Sequence, residues 1–251
     1  MSSAIIKTPA QIAIMRESGR VLATLLEQLM GAAVPGVKTI ELDELAERLV
    51  AEAGVTASFK GFEGYRHSIV SCLNEEVVHG IPSQRVIVDG DVLTIDFGVI
   101  KDRYHSDMAR TKIVGTTKDV KVATFLKVGE RALYAGIDQC IVGNRIGDIS
   151  HAIQQTVEQG GYQVIRAFVG HGVGVELHEE PQVPGFGPKG SGPLLREGMV
   201  LAVEVMYAMG THNVKVMPDG WTAVTVDGSL SGMFENTVAI TSDGPLILTQ
   251  K

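Results

Sequence analysis

The chain has 251 residues, 45% of them apolar, and a formal net charge of −7. That length suits one large domain or two fused halves around a sizeable core. The acidic excess, with no block of Lys and Arg, argues against a general nucleic-acid or membrane-surface role.

Residues Met1 to Lys7 lack the charged-then-apolar run of a signal peptide, and no stretch approaches the roughly 18 apolar residues that span a bilayer. Cys72 and Cys140 fit no metal or redox spacing, so a reduced, cytoplasmic protein is expected. Thr8-Pro9-Ala10-Gln11 supplies an N-cap, a proline at the first helical position and a capping-box glutamine, ahead of an apolar-periodic run through Ile14, Val21, Leu25 and Leu29. This predicts a helix. A second is expected after Gly36, carrying Leu42, Leu45, Leu49 and Val50 until Gly54 stops it. Strands follow, and after Thr111 to Val114 the pattern recurs, with a helix from about Thr117 and another between Gly143 and Gly161. Gly36 and Gly54 each lie 107 residues before Gly143 and Gly161, which points to an internal duplication; chance spacing among 29 glycines is the alternative. From Met199 onwards antiparallel strands are predicted over Val200–Met206, Trp221–Val226 and Met233–Thr241, with a turn at Asp227-Gly228. No Pro-rich linker divides the chain. The expectation is an α+β fold in a single catalytic domain over 1–251, with two lobes of roughly 8–114 and 117–241 meeting at an interface that suits a site.

Chemistry concentrates in a few segments. In Val77-Val-His79-Gly-Ile-Pro-Ser83, the plain reading of His79 is a loop histidine held by a backbone hydrogen bond. The segment from Val92 to Thr111 reads as a hairpin turning at Lys101-Asp102, which sets Asp96 directly opposite Asp107. Opposed carboxylates, with Cβ atoms about 5 Å apart, weaken a sheet unless protonated or bridged by a cation. An odd-numbered loop would slip the register and leave both aspartates solvating an edge. Gly170-His171-Gly172-Val173-Gly174 flanks an imidazole with residues that admit close backbone approach, but Val175 stands where a dinucleotide fingerprint needs its third glycine. His178-Glu179-Glu180-Pro181 is not the zinc-protease helix motif, because Gln182 occupies the second histidine's place. Glu204 and Glu235 sit inside otherwise apolar strands, where an unpaired carboxylate costs several kcal/mol; an edge strand or a structural ion pair would also satisfy each. Together Asp96, Asp107, His171, Glu204 and Glu235 offer four carboxylates and an imidazole, matching two divalent cations in charge. Two such cations let hydroxide form near neutral pH.

At these residues the chain resembles type I methionine aminopeptidase, a family with the pita-bread fold. The likeness runs from Ile6-Lys-Thr-Pro9 to Thr241 and is carried by Asn74-Glu-Glu-Val-Val-His-Gly-Ile-Pro82, Asp96 with Asp107, Gly170 to Gly174, His178 to Pro181, Asp219-Gly-Trp-Thr222 and Ser229 to Glu235. No zinc-finger extension precedes the first helix. The resemblance implies two pseudo-symmetric αβ halves with a central antiparallel sheet enclosing a dinuclear site for Co, Mn, Fe or Zn. Asp96 would chelate one metal, His171 and Glu204 would hold the other, and Asp107 and Glu235 would bridge. His79 and His178 would face the scissile peptide, Glu204 would shuttle a proton, and the substrate's free α-amine would complete one coordination sphere. Phe62, Tyr65, Val70, Leu177 and Trp221 would form the methionine pocket; plain core packing is the other reading of these five. Val205 and Asn236 stand where the family commonly has Pro and His, and neither change removes a ligand.

The activity implied is removal of the N-terminal methionine from nascent proteins and peptides with a small second residue, by hydroxide attack on the first peptide bond. The implied protein is a cytoplasmic monomer that meets nascent N-termini, with at most transient ribosome contact and no nucleic-acid or membrane partner. Two other readings share the fold. An Xaa-Pro aminopeptidase usually carries an extra N-terminal domain that 251 residues leave no room for, and non-catalytic pita-bread binding proteins have lost ligands that are all present here.

Overall fold

A computed structural model describes residues 4–116 and 119–251. Helix α1 (Pro9–Ala32) starts as its sequence dictates: the Gln11 N–H donates to Thr8 Oγ1 at 3.3 Å, and the Gln11 side chain accepts from the Thr8 N–H at 2.7 Å. Its apolar stripe, with Leu22, Leu25, Leu26 and Leu29, is buried. Helix α2 (Thr39–Glu52) and helix α4 (Ile146–Gln159) are offset by 107 residues at both ends. Both are preceded by a basic residue whose backbone N–H is capped from N3, Lys38 by Glu41 and Arg145 by Asp148, each at 2.8 Å. Helix α3 (Val120–Ile137) has Asp119 as its N-cap, and its expected start at Thr117 lies outside the described residues.

In the first half, β4 (Val92–Lys101) pairs with β5 (Tyr104–Ile113) on one edge, while β2 (Ile69–Leu73) and the short β1 (Thr56–Ala57) share the other edge. In the second half, β9 (Val200–Ala208) pairs with β12 (Ser231–Thr241), which is edged in turn by β13 (Gly244–Ile247). Across β9 from β12 lie β6 (Gln163–Val164) and β7 (Gly170–Gly172), with β8 (Glu179–Val183) beyond β7. A small sheet joins β3 (Glu76–Val78), β11 (Ala223–Thr225) and β10 (Val214–Val216). Helices α1 and α2 cover the first sheet around Phe97, Leu93 and Ile95, and α3 and α4 cover the second around Phe125, Tyr207 and Val203. Every connection between neighbouring strands is antiparallel, as an α+β chain with hairpin-scale loops should show.

Two threonines join the halves where no ladder does. Thr237 Oγ1 accepts from the Asp107 N–H and donates to the Asp107 carbonyl, both at 2.9 Å; Thr111 Oγ1 does the same for Met233, at 2.8 and 2.7 Å. These hydroxyls hold β5 against β12 and so bring their acidic residues together.

The hairpin register departs from expectation. The turn is Asp102-Arg103, both in the left-handed region at φ 48° and 75°, with Lys101 paired to Tyr104. Gly98 therefore faces Asp107, and Asp96 faces Ala109. A shift of two residues keeps both aspartates on one face but places them diagonally instead of directly opposite. Boundaries also move: β9 continues to Ala208, β12 begins at Ser231, and β11 covers only Ala223–Thr225 because Asp219 Oδ1 accepts from the Trp221 and Thr222 N–H groups and holds Trp221 in a turn. Among the described residues no helix is long and apolar enough to cross a membrane.

Candidate metal centre

The five acidic and imidazole candidates converge because each sits on a strand whose face the sheets turn inward. Glu204 and Glu235 are direct cross-strand partners, so the opposed carboxylate pair is formed by the glutamates. His171 pairs with Ala202 and is thus diagonal to Glu204. One ligand atom each from Asp107, His171 and Glu235 lies within 4.8 Å of the others, and His171 Nε2 is 3.9 Å from Asp107 Oδ2. Asp96 and Glu204 line the same cavity as this trio.

The electrostatics of this cluster are those of crowded, dry carboxylates. All four are at most 7% exposed. Burial, then the charges of Asp107 and Glu204, pushes the Asp96 carboxyl well above its usual range. Burial followed by Asp107, Glu204 and Asp96 does the same to Glu235, against a smaller pull from Arg110. Burial lifts Asp107 to about 7, partly offset by the Met108 N–H it accepts at 3.0 Å, and burial with Asp107 lifts Glu204 to about 8. His171 moves the other way, to about 3, through burial and the neighbouring His178. Its Nδ1 lies 2.9 Å from the Gly172 carbonyl, which fixes that nitrogen as the donor and leaves Nε2 as a lone pair facing Asp107.

This donor set fits divalent cations. Asp96 Oδ1 is buried with no hydrogen-bond partner among the described residues, and the Arg110 guanidinium donates to the Glu235 carbonyl (2.6 Å), the Ala109 carbonyl (2.8 Å) and Asn236 Oδ1 (2.8 Å). Four buried carboxylates that no Lys or Arg side chain pairs with among the described residues, beside a neutral imidazole nitrogen, are what hard or borderline metals replace protons in.

The same groups make the metal-free protein sensitive to alkali. Carboxyls with raised pKa bind more protons folded than unfolded, so their stabilising effect is lost as pH climbs from about 4 towards 8. The depressed histidines, His171 at about 3 and His105 at about 4, oppose this only below their unfolded value near 6.5. Above 6.5 the carboxyls act alone. In chelator, the melting temperature is expected to fall between pH 6.5 and 8.5, with a slope of about 1.4 kcal/mol per pH unit for each proton lost. A flat or rising profile would show that the cluster is not crowded in solution.

All the remaining candidates line one cavity of about 530 Å3 above this cluster. Tyr65, Val70 and Leu177 are buried on one wall with Phe59 and Cys72, and Phe62 and Trp221 pack onto them. The Tyr65 hydroxyl donates to the Ile69 and Gly80 carbonyls at 3.0 and 3.1 Å, fixing its ring against Trp221. His79 adopts φ 59°, a conformation costing of order 1 kcal/mol or more for a residue with a side chain. The next residue enforces it: a Cβ on Gly80 would lie 2.3 Å from the Ser71 carbonyl oxygen. The His79 ring stands edge-on to Phe168 and Trp221, with centroids 5.4 and 6.2 Å away, and burial together with His178 lowers its pKa. His178 is exposed at the mouth, edge-on to His171 at 4.4 Å and to Phe62 at 5.1 Å.

The cavity also takes in residues that sequence reasoning passed over, among them Phe59, Glu63, Phe168 and Gln182. Phe59 three residues before Phe62, and Phe168 just before Gly170-His171, were the available signals.

A family model described as metallopeptidase family M24 matches residues 13–242. The chain belongs to metallopeptidase family M24. This M24 chain is 48% identical over 246 residues to methionine aminopeptidase 1 of Bacillus subtilis (strain 168), covering 98% of this chain and 99% of that protein. The crystal structure of methionine aminopeptidase from Thermotoga maritima superposes with a TM-score of 0.97 at 42% identity, covering 99% of this chain and 100% of that one. Prolidase from Pyrococcus furiosus superposes with a TM-score of 0.79 at 22% identity over 99% of this chain and 66% of that one, a likeness of fold alone. The pita-bread architecture is common to this M24 chain and these neighbours.

Proposed function

We propose that this M24 chain hydrolyses the first peptide bond of peptides and nascent proteins that begin with methionine followed by a small residue. The observation that carries this reading is one cavity in which four buried carboxylates and His171 adjoin an apolar wall edged by His79, His178 and Trp221. Near-full-length similarity to a methionine aminopeptidase supports it, whereas the prolidase likeness offers no comparable support for an Xaa-Pro substrate.

Asp96, Asp107, His171, Glu204 and Glu235 would hold two divalent cations drawn from Co, Mn, Fe or Zn, with Asp107 and Glu235 shared. Four ionised carboxylates balance the charge of two such cations, so metal replaces the protons that crowding retains. When bound, the cations supply Lewis acidity, lowering the pKa of water and polarising a carbonyl. Glu204 accepts a proton at its carboxylate during attack and returns it to the departing amine. His178 donates to the carbonyl oxygen as charge develops there. His79, kept neutral by burial, positions the peptide by a hydrogen bond at the scissile N–H, and the proton that nitrogen gains comes from Glu204. The free α-amine lies towards the carboxylates, and Phe62, Tyr65, Val70, Leu177 and Trp221 take the methionine side chain, whose thioether packs well on aromatic edges.

Because Asp96 and Asp107 come from the first half while His171, Glu204 and Glu235 come from the second, the two halves act as one catalytic domain. The same reading makes it a cytoplasmic monomer acting on emerging N-termini, with at most transient ribosome contact.

With its bound metals measured, the purified protein is expected to release Met from Met-Ala-Ser and to leave Met-Lys-Ser and Ala-Pro-Ala intact. Comparable turnover of Met-Lys-Ser, or a preference for Ala-Pro-Ala, overturns the assignment.

A further inference from the structure

His178 rides on a loop clamped from below by a residue 171 positions earlier. Lys7, just before the N-cap of α1, pairs with Glu179, and the two side chains are only 3% and 2% exposed. The Lys7 ammonium also donates to the Ile5 carbonyl at 3.2 Å, and the Lys7 backbone N–H donates to the Gly198 carbonyl at 2.8 Å. On the other side, Glu179 Oε1 accepts from the Val175 and Glu176 N–H groups at 3.0 and 3.4 Å, so one carboxylate spans the turn that leads into His178. The His105 N–H donates to the Gly174 carbonyl at 2.8 Å, tying this loop to β5. The packing is tight enough to dictate glycine: a Cβ at residue 174 would lie 2.3 Å from Glu179 Oε1 and 2.6 Å from Lys7 Cε.

A buried ion pair is a poor source of net stability, because desolvation offsets most of its attraction. Its return here is geometry. Glu179 is immobilised on both sides, and its neighbour His178, which no protein hydrogen bond holds among the described residues, is carried with it. We propose that Lys7 is a positioning residue for the reaction, acting through Glu179 to keep the His178 ring beside His171 and over the carboxylate cluster. This rests on the reading that His178 acts on the substrate carbonyl.

A double-mutant cycle between Lys7→Met and His178→Ala, in the metal-loaded full chain with Met-Ala-Ser as substrate, tests it. Lys7→Met alone is expected to lower kcat about 10- to 100-fold with little change in KM, the scale of a misplacement near 1 Å. In the His178→Ala background it should cost nothing further. Two readouts do not depend on turnover: the Val175 and Glu176 amides should exchange faster in Lys7→Met, and Mn2+ affinity by calorimetry should stay at the wild-type value. An equal additional loss in both backgrounds, unchanged amide exchange, or Mn2+ affinity falling with activity overturns the proposal while leaving the role of His178 intact. Full kcat in His178→Ala overturns the reading of His178 and the proposal with it. Should Lys7→Met fail to fold, because Glu179 is left buried without its cation, Lys7→Met/Glu179→Gln removes both charges and carries the same cycle.

Discussion

Replacing His79 with Ala is expected to lower kcat by about 10²–10⁴-fold, the usual range for a side chain that moves or shares a proton in the transition state, while metal content stays at the wild-type level. His79 is set for such work and for little else. Its neighbour Val78 is paired to Ala223, Gly80 is pressed onto Ser71, and the left-handed backbone between them turns the imidazole into the cavity. The ring is held by the edges of Phe168 and Trp221, and among the described residues it has no protein hydrogen-bond partner. A group that contacts the leaving nitrogen contributes mostly to the chemical step, so KM should move less than kcat. His79→Asn is the control for backbone strain, because asparagine tolerates positive φ far better than alanine does. Both variants should lose the same activity. Loss of bound metal in either, or full activity in both, would make His79 a structural histidine; recovery in His79→Asn alone would assign the effect to the backbone.

What the sequence discloses about this site follows from how local each signal is. The capping box at Thr8 and Gln11, and the helix between Gly143 and Gly161, are read within a few residues and hold. The side of β4 and β5 that carries Asp96 and Asp107 is also legible, since alternation fixes faces and survives an error of two in register. The partner of each aspartate is not. Type I′ turns announce themselves by Asn-Gly or Asp-Gly, and here Asp102-Arg103 takes that geometry without a glycine, so nothing separates it from a turn at Lys101-Asp102. The direct pairing of Glu204 with Glu235 is beyond any turn rule, because 22 residues and a separate hairpin lie between β9 and β12. Likewise the contact of Lys7 with Glu179 depends on where α1 docks, and no periodicity carries that information.

The observed registers put directly opposed like charges on the glutamates and leave the aspartates diagonal. Directly opposed like charges cost a sheet more than diagonal ones, and two carboxylates about 5 Å apart repel by about 3 kcal/mol at an effective dielectric near 20. Glu235→Gln removes that repulsion with little change of shape, and it leaves the Arg110 hydrogen bond to the Glu235 carbonyl in place because that bond is to the backbone. In chelator at pH 8 the crowded pair makes folded wild type hold a Glu235 proton that the unfolded chain has released, so the variant, which has no proton to hold, is expected to be more stable than wild type by about 1–3 kcal/mol and to lose stability less steeply as pH rises. Metal should reverse the order. Wild type gains about 2.7 kcal/mol at a hundredfold excess of Mn2+ over its dissociation constant, whereas the variant, short of one ligand and one charge, should gain little and lose nearly all turnover of Met-Ala-Ser. Thermal melts of both proteins, in chelator and in Mn2+ across pH 6.5 to 8.5, separate the outcomes. A variant less stable than wild type in chelator would mean that the Glu235 carboxylate already makes a stabilising contact in the metal-free protein, and the view of Glu204 and Glu235 as a repulsive pair awaiting cations would fall.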